Sequence, residues 1–126
     1  MTATIVVADD DATIRRLMTV FLKSLGYRGV VVEDGVQALA AVAEEIPDLI
    51  ISDVHMPNLG GLELTRRLRE DPRLARVPIL LFSASVSQGE VTVWQGAGAD
   101  GFIAKPPTLS ALRERLASML AKGRSG

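Results

Sequence analysis

Residues 4–12 read TIVVADDDA, an apolar, mostly β-branched run that ends on three consecutive aspartates. A strand covered on both faces has this near-continuous apolar pattern. Neighbouring carboxylates repel and raise each other's pKa unless a cation or an array of donors relieves them. The fold must therefore bring something to Asp9, Asp10 and Asp11 from elsewhere in the chain.

Four more short apolar runs follow: GVVV at 29–32, DLIIS at 48–52, PILLFS at 78–83 and GFIA at 101–104. Helical periodicity fills the gaps between them. Ile14, Leu17, Met18, Phe21, Leu22 and Leu25 form one apolar stripe that Gly26 ends, with Asp11 placed as the N-cap. Val36, Leu39, Ala40, Ala43 and Ile46 repeat the spacing before Pro47, and Leu62, Leu64 and Leu68 give a third helix closed by Asp71-Pro72. The segment at about 86–97 has the weakest helical pattern, because it carries Gly89 and the β-branched run Val91-Thr92-Val93. Leu109, Leu112, Leu116 and Met119 stripe a fifth helix, which Thr108 or Ser110 can cap.

Strand and helix alternating in this way predict an α/β fold, a doubly wound parallel sheet of five strands with helices on both faces. Ligands of such sheets bind outside the carboxyl ends of the strands. Those ends carry Asp9 and Asp10, Asp53, Ser83 and Lys105. Carboxylates without a nearby imidazole pair or thiolate suit a hard divalent cation such as Mg²⁺, with Mn²⁺ as a substitute. Lys105 and Ser83 can hold an anion beside it. Together they describe a phosphoryl site, in which a carboxylate can itself be the nucleophile.

The composition is consistent with that reading and excludes others. The chain has 126 residues, 48% of them hydrophobic, which suits one domain, and it has no cysteine, so disulfides and thiolate metal sites are ruled out. Fourteen basic against fifteen acidic residues, a net charge of −1, give no electrostatic case for binding nucleic acid or an anionic membrane. No apolar run reaches the length of a membrane span and no signal peptide is visible, so the cytoplasm is the expected compartment. Residues 1–122 are expected to form the domain, beginning at a native Met1, with residues 123–126 a tail or the start of a linker.

VADD, ISDVHMPNLGGLEL, ILLFSA and GADGFIAKP resemble, in order and spacing, the signature segments of response-regulator receiver domains of two-component signalling. The resemblance implies a flavodoxin-like fold with strand order 2-1-3-4-5. It also implies that Asp53 is the phosphoacceptor and that Mg²⁺ is bound by Asp9, Asp10, Asp53 and the backbone carbonyl of His55. Ser83 and Phe102 take the switch positions, Lys105 the phosphate-binding position, and Pro106 follows a cis peptide. The implied donor is a histidine kinase or histidine phosphotransfer protein, and the implied output is a downstream protein or domain reached through the face of helix four, strand five and helix five. Such a domain is a switch and not an enzyme, although it assists its own phosphorylation and dephosphorylation.

The chain departs from the family pattern at Gly60, where an acid is common, at Pro107, where phenylalanine is common, and at Trp94, where a small residue is usual. The rivals are a degenerate receiver acting as a phosphorylation-independent interaction module, an aspartate-nucleophile phosphatase and a flavin-binding flavodoxin. The phosphatase needs an acid where His55 stands, and the flavin reading conflicts with the acidic first loop. His55 has no second imidazole with which to bind zinc. Trp94 reads as a packing or partner-contact residue, and Arg66, Arg67 and Arg69 as a solvated helix face.

Overall fold

The computed structural model describes residues 2–84 and 87–122. The expectations for Met1, for the path through Ser85 and for the tail at 123–126 lie outside these residues. The strands are β1 (Thr4–Ala8), β2 (Arg28–Val32), β3 (Leu49–Asp53), β4 (Ile79–Ser83) and β5 (Gly101–Ala104). The helices are α1 (Ala12–Ser24), α2 (Gly35–Glu44), α3 (Gly61–Glu70), α4 (Gln88–Ala97) and α5 (Leu109–Lys122), with a 3₁₀ turn at Pro72–Leu74. All strand pairs are parallel, in the order β2-β1-β3-β4-β5.

The alternation of side chains along each strand divides the core in two. Ile5 and Val7 of β1, Leu49 and Ile51 of β3, and Leu80 and Phe82 of β4 pack against α1 and α5 through Met18, Leu22, Leu112 and Leu116. Val6, Ala8, Ile50, Ile79 and Leu81 point to the other face, where α2, α3 and α4 supply Ala38, Val42, Leu64, Leu68 and Trp94. Asp11 caps α1 by accepting from the backbone N–H of Thr13 and Ile14, and Thr108 Oγ1 accepts from Ala111 N–H at the start of α5.

The structure corrects two expectations. The buried face of α2 is Gly35, Ala38 and Val42, whereas Val36 is 55% and Ile46 40% exposed. With Asp34 as its cap the helix starts at Gly35, one residue before Val36, and Gly35 lies so close to the backbone of Leu59 that the rotation of the helix is fixed by contact and not by its apolar stripe. Ile46 lies beyond the helix end.

The second correction concerns Arg69, whose side chain is 12% exposed and therefore does not belong to a solvated face. Its guanidinium donates to the carbonyls of Gly98, Leu74 and Val77 and to Asp100 Oδ2. The helix expected at about 86–97 is present as α4, well formed despite its weak propensity. Ser87 Oγ accepts from Glu90 N–H, Gly98 ends the helix at φ 114°, and Trp94, 3% exposed, anchors it to the sheet.

A candidate metal and phosphoryl centre at the carboxyl edge of the sheet

Because β1 and β3 are neighbours in register, with Ala8 opposite Ser52, the residues that follow come side by side. Asp9, Asp10 and Asp53 each present a carboxylate oxygen within 4.8 Å of the others. Asp9 is fully buried and Asp53 6% exposed, while Asp10 faces solvent. Lys105 arrives from the end of β5. Its ammonium donates to Asp53 Oδ2 at 2.8 Å and lies 2.9 Å from Asp9 Oδ2. It also sits 5.7 Å from the centroid of the Phe82 ring, a neighbour that no local pattern reveals.

The electrostatics follow from this packing. Burial pushes the Asp9 carboxyl above the usual carboxylate range, and Asp53 adds to it; the N–H of Asp11, 2.8 Å from Oδ1, and Lys105 offset only part of the rise. Burial acts to lower the Lys105 ammonium, but the hydrogen bond to Asp53 and the close negative charges of Asp53 and Asp9 outweigh it, so Lys105 is held above its ordinary value. One ammonium thus faces three carboxylates, and Asp9 Oδ2, although ion-paired, accepts no hydrogen bond. A buried oxygen with unused lone pairs beside two other carboxylates fits an oxygen-binding divalent cation.

The backbone around Asp53 is tightly built. Ser52 Oγ donates to the Asp53 carbonyl, and the N–H of Gly61 donates to the Val54 carbonyl at 2.9 Å, closing the loop between them. A Cβ on Gly61 would collide with the Asp53 carbonyl oxygen, so only glycine fits. The N–H of His55 faces Asp53 Oδ1 at 3.4 Å, and its side chain is exposed.

The other predicted positions are near but differently placed. Ser83 is 5% exposed at the end of β4, and its carbonyl accepts from Lys105 N–H at 3.1 Å. Phe102 is partly buried on β5 and packs against Trp94. The Lys105-Pro106 peptide is cis, and Pro107 is buried. Sequence reasoning missed Arg15, which donates to the Asp9 carbonyl at 2.9 Å and reaches Glu33 at 3.8 Å. It also missed Asp34 and Asn58, whose side chains are joined at 2.8 Å. The spacing of Asp34 and Gln37, a helix cap and its third residue, was a signal available for the first of that pair.

The chain is similar to known proteins in sequence and in fold. The family model described as the response regulator receiver domain matches residues 5–117. The DNA-binding response regulator MtrA of Mycolicibacterium paratuberculosis is 38% identical over 102 residues, which are 81% of this chain and 44% of that protein. The chain therefore spans less than half the length of that relative. Chemotaxis protein CheY4 of Vibrio cholerae superposes with a TM-score of 0.90 at 30% identity, covering 94% of this chain and 98% of that one. The receiver domain of sensor histidine kinase PA1611 from Pseudomonas aeruginosa PAO1, solved with a magnesium ion coordinated in the active site cleft, superposes with a TM-score of 0.88 at 30% identity over 96% of this chain and 99% of that one.

Proposed function

The chain belongs to the response regulator receiver domain family, and from that membership and the geometry of its carboxyl edge we propose that it takes a phosphoryl group onto Asp53 from a histidine kinase or histidine phosphotransfer protein. The observation that carries the reading is the position of Asp53, nearly buried, bonded to Lys105 at 2.8 Å and within 4.8 Å of two further carboxylates. An Asp53 oxygen forms the new bond to phosphorus, while the bond from phosphorus to the donor's imidazole nitrogen breaks and leaves its electron pair on the ring.

Asp9, Asp10, Asp53 and the backbone carbonyl of His55 are the groups that would hold Mg²⁺ or Mn²⁺. The ion supplies charge neutralisation for the transferred group. Lys105 is already placed to move from the Asp53 carboxylate to a phosphoryl oxygen, and Ser83 offers it a second donor. Phe102 follows Ser83, and the face of α4, β5 and α5 carries the change to a downstream protein or domain. We assign residues 1–122 to this receiver unit and 123–126 to a tail, in the cytoplasm. A net charge of −1 supports no direct nucleic-acid contact by this domain, and among the described residues no helix is long and apolar enough to cross a membrane.

The test is intact-mass spectrometry after acetyl phosphate and Mg²⁺. Wild type should gain one phosphoryl group and Asp53→Asn none, since an amide is not a nucleophile here. An undiminished adduct on the variant would place the acceptor elsewhere.

A further inference from the structure

The segment from Val54 to Gly60 carries no regular structure, yet it follows Asp53 directly and contains His55. Its base is closed by the Gly61 N–H bond to the Val54 carbonyl. Its far end is held from outside. Asn58, the one residue other than glycine with positive φ among those described, at 68°, turns the chain so that its Nδ2 donates to Asp34 Oδ2 at 2.8 Å. Next to it the N–H of Gly35 donates to the Leu59 carbonyl at 3.2 Å. A Cβ on Gly35 would stand 2.5 Å from that same oxygen, so the start of α2 and the loop lie backbone to backbone.

Asp34 serves two partners at once. One oxygen caps α2 through Gln37 N–H at 2.9 Å and the other receives Asn58. The same β2–α2 connection reaches the opposite side of the centre, because the Val32 carbonyl accepts from Asp9 N–H and Glu33 lies near Arg15, which grips the Asp9 carbonyl. A rigid helix start thus braces both acidic loops.

We propose that Asn58 is a positioning residue, and that its bond to Asp34 holds the 54–60 loop in the form that receives the metal and the phosphoryl group. The proposal rests on the reading given under the preceding heading. Asn58 contributes by geometry alone: it tolerates the left-handed turn and has a donor to spend on a carboxylate. Groups that orient metal ligands without touching the metal commonly change affinity by about 10–100-fold when removed.

The experiment uses four variants. Asn58→Gly keeps the backbone freedom and removes the donor. Asn58→Asp also tolerates the turn but sets one carboxylate against another. Asp34→Asn keeps the contact, because the Asn58 amide can turn its oxygen toward the new NH₂ while the oxygen at position 34 still caps Gln37. The double variant Asp34→Asn, Asn58→Asp restores a donor and an acceptor with their places exchanged. Mg²⁺ affinity is read from amide resonances, and hydrogen exchange of residues 54–60 is followed in the metal-free protein.

Asn58→Gly and Asn58→Asp should weaken Mg²⁺ by about tenfold and speed exchange of the loop, with the urea midpoint little changed, while Asp34→Asn and the double variant stay near wild type. Affinity and exchange near wild type in Asn58→Gly would overturn the proposal. So would a loss in Asn58→Asp that the exchanged pair does not recover. If wild type itself shows no Mg²⁺ response, it is the phosphoacceptor reading that fails, and the metal-free exchange still tests the tether on its own.

Discussion

Trp94 and Phe102 face each other with ring centroids 5.3 Å apart and planes inclined at 39°. Trp94 lies at the middle of α4 and is 3% exposed, and Phe102 lies on β5, opposite Leu81 and three residues before Lys105. The indole thus touches the strand that delivers the ammonium to Asp53.

Beryllofluoride with Mg²⁺, which mimics the phosphorylated carboxylate, should therefore shift the Trp94 emission, and Phe102→Ala should remove most of that shift. Unchanged emission in wild type would separate the aromatic pair from the switch. Trp94→Ala should cost about 3–5 kcal/mol in urea unfolding, the usual loss for a buried indole.

Arg69 is a second anchor of the same helix. It ties the end of α3 to Gly98 and Asp100 on either side of the turn into β5. Arg69→Ala leaves three carbonyls and a carboxylate without these donors and should cost at least about 2 kcal/mol. Arg69→Lys should recover only part, since one ammonium cannot span four acceptors. A loss within about 0.5 kcal/mol, the range of ordinary surface substitutions, would contradict the anchoring role.

Gly61→Ala tests the wall behind Asp53. The added methyl must displace the Asp53 carbonyl, so phosphorylation by acetyl phosphate should slow at least about tenfold, and overpacking should destabilise by about 1–3 kcal/mol. Normal phosphorylation of a folded variant would show that the backbone at Asp53 can yield without harm.

The pH response of the brace has a fixed sign. The N–H of Gln37 and the Asn58 side chain hold the Asp34 carboxyl below the usual carboxylate range. A group whose folded pKa lies below its unfolded value, near about 3.9, contributes stability above that value and loses it as the pH falls through the folded pKa. The Asn58 side-chain and Gln37 backbone resonances should therefore stay still from neutral pH to about pH 4 and move only below it. Movement between pH 5 and 7 would show that another group controls the contact.

Much of this was legible in the sequence because the signals were local and repeated. Apolar runs bounded by turns located the five strands to within a residue, and the strand ends so placed pointed to Asp9, Asp53 and Lys105, which do meet at the carboxyl edge. The face of α2 was not legible, since its rotation is set by contact of Gly35 with a backbone oxygen of a distant loop, and no periodicity records that. Arg69 looked like its exposed neighbours because helical spacing cannot say which arginine meets three carbonyls. Trp94 could be read as a packing residue, but its partner depends on how α4 lies over β5. Asn58 carries no local signal of its role, since its partner is 24 residues away.

The bond between Lys105 and Asp53 joins residues 52 apart, and Lys105 directly follows β5, the last strand to be synthesised. A nascent chain that has paired β1 with β3 already holds its acids side by side, and the ammonium that pairs with Asp9 and Asp53 is still to come. Long-range closures of this kind are slow to form. The final strand therefore brings both the sheet edge and the charge that makes the acidic cluster tolerable, so completing the fold and readying the centre are one event.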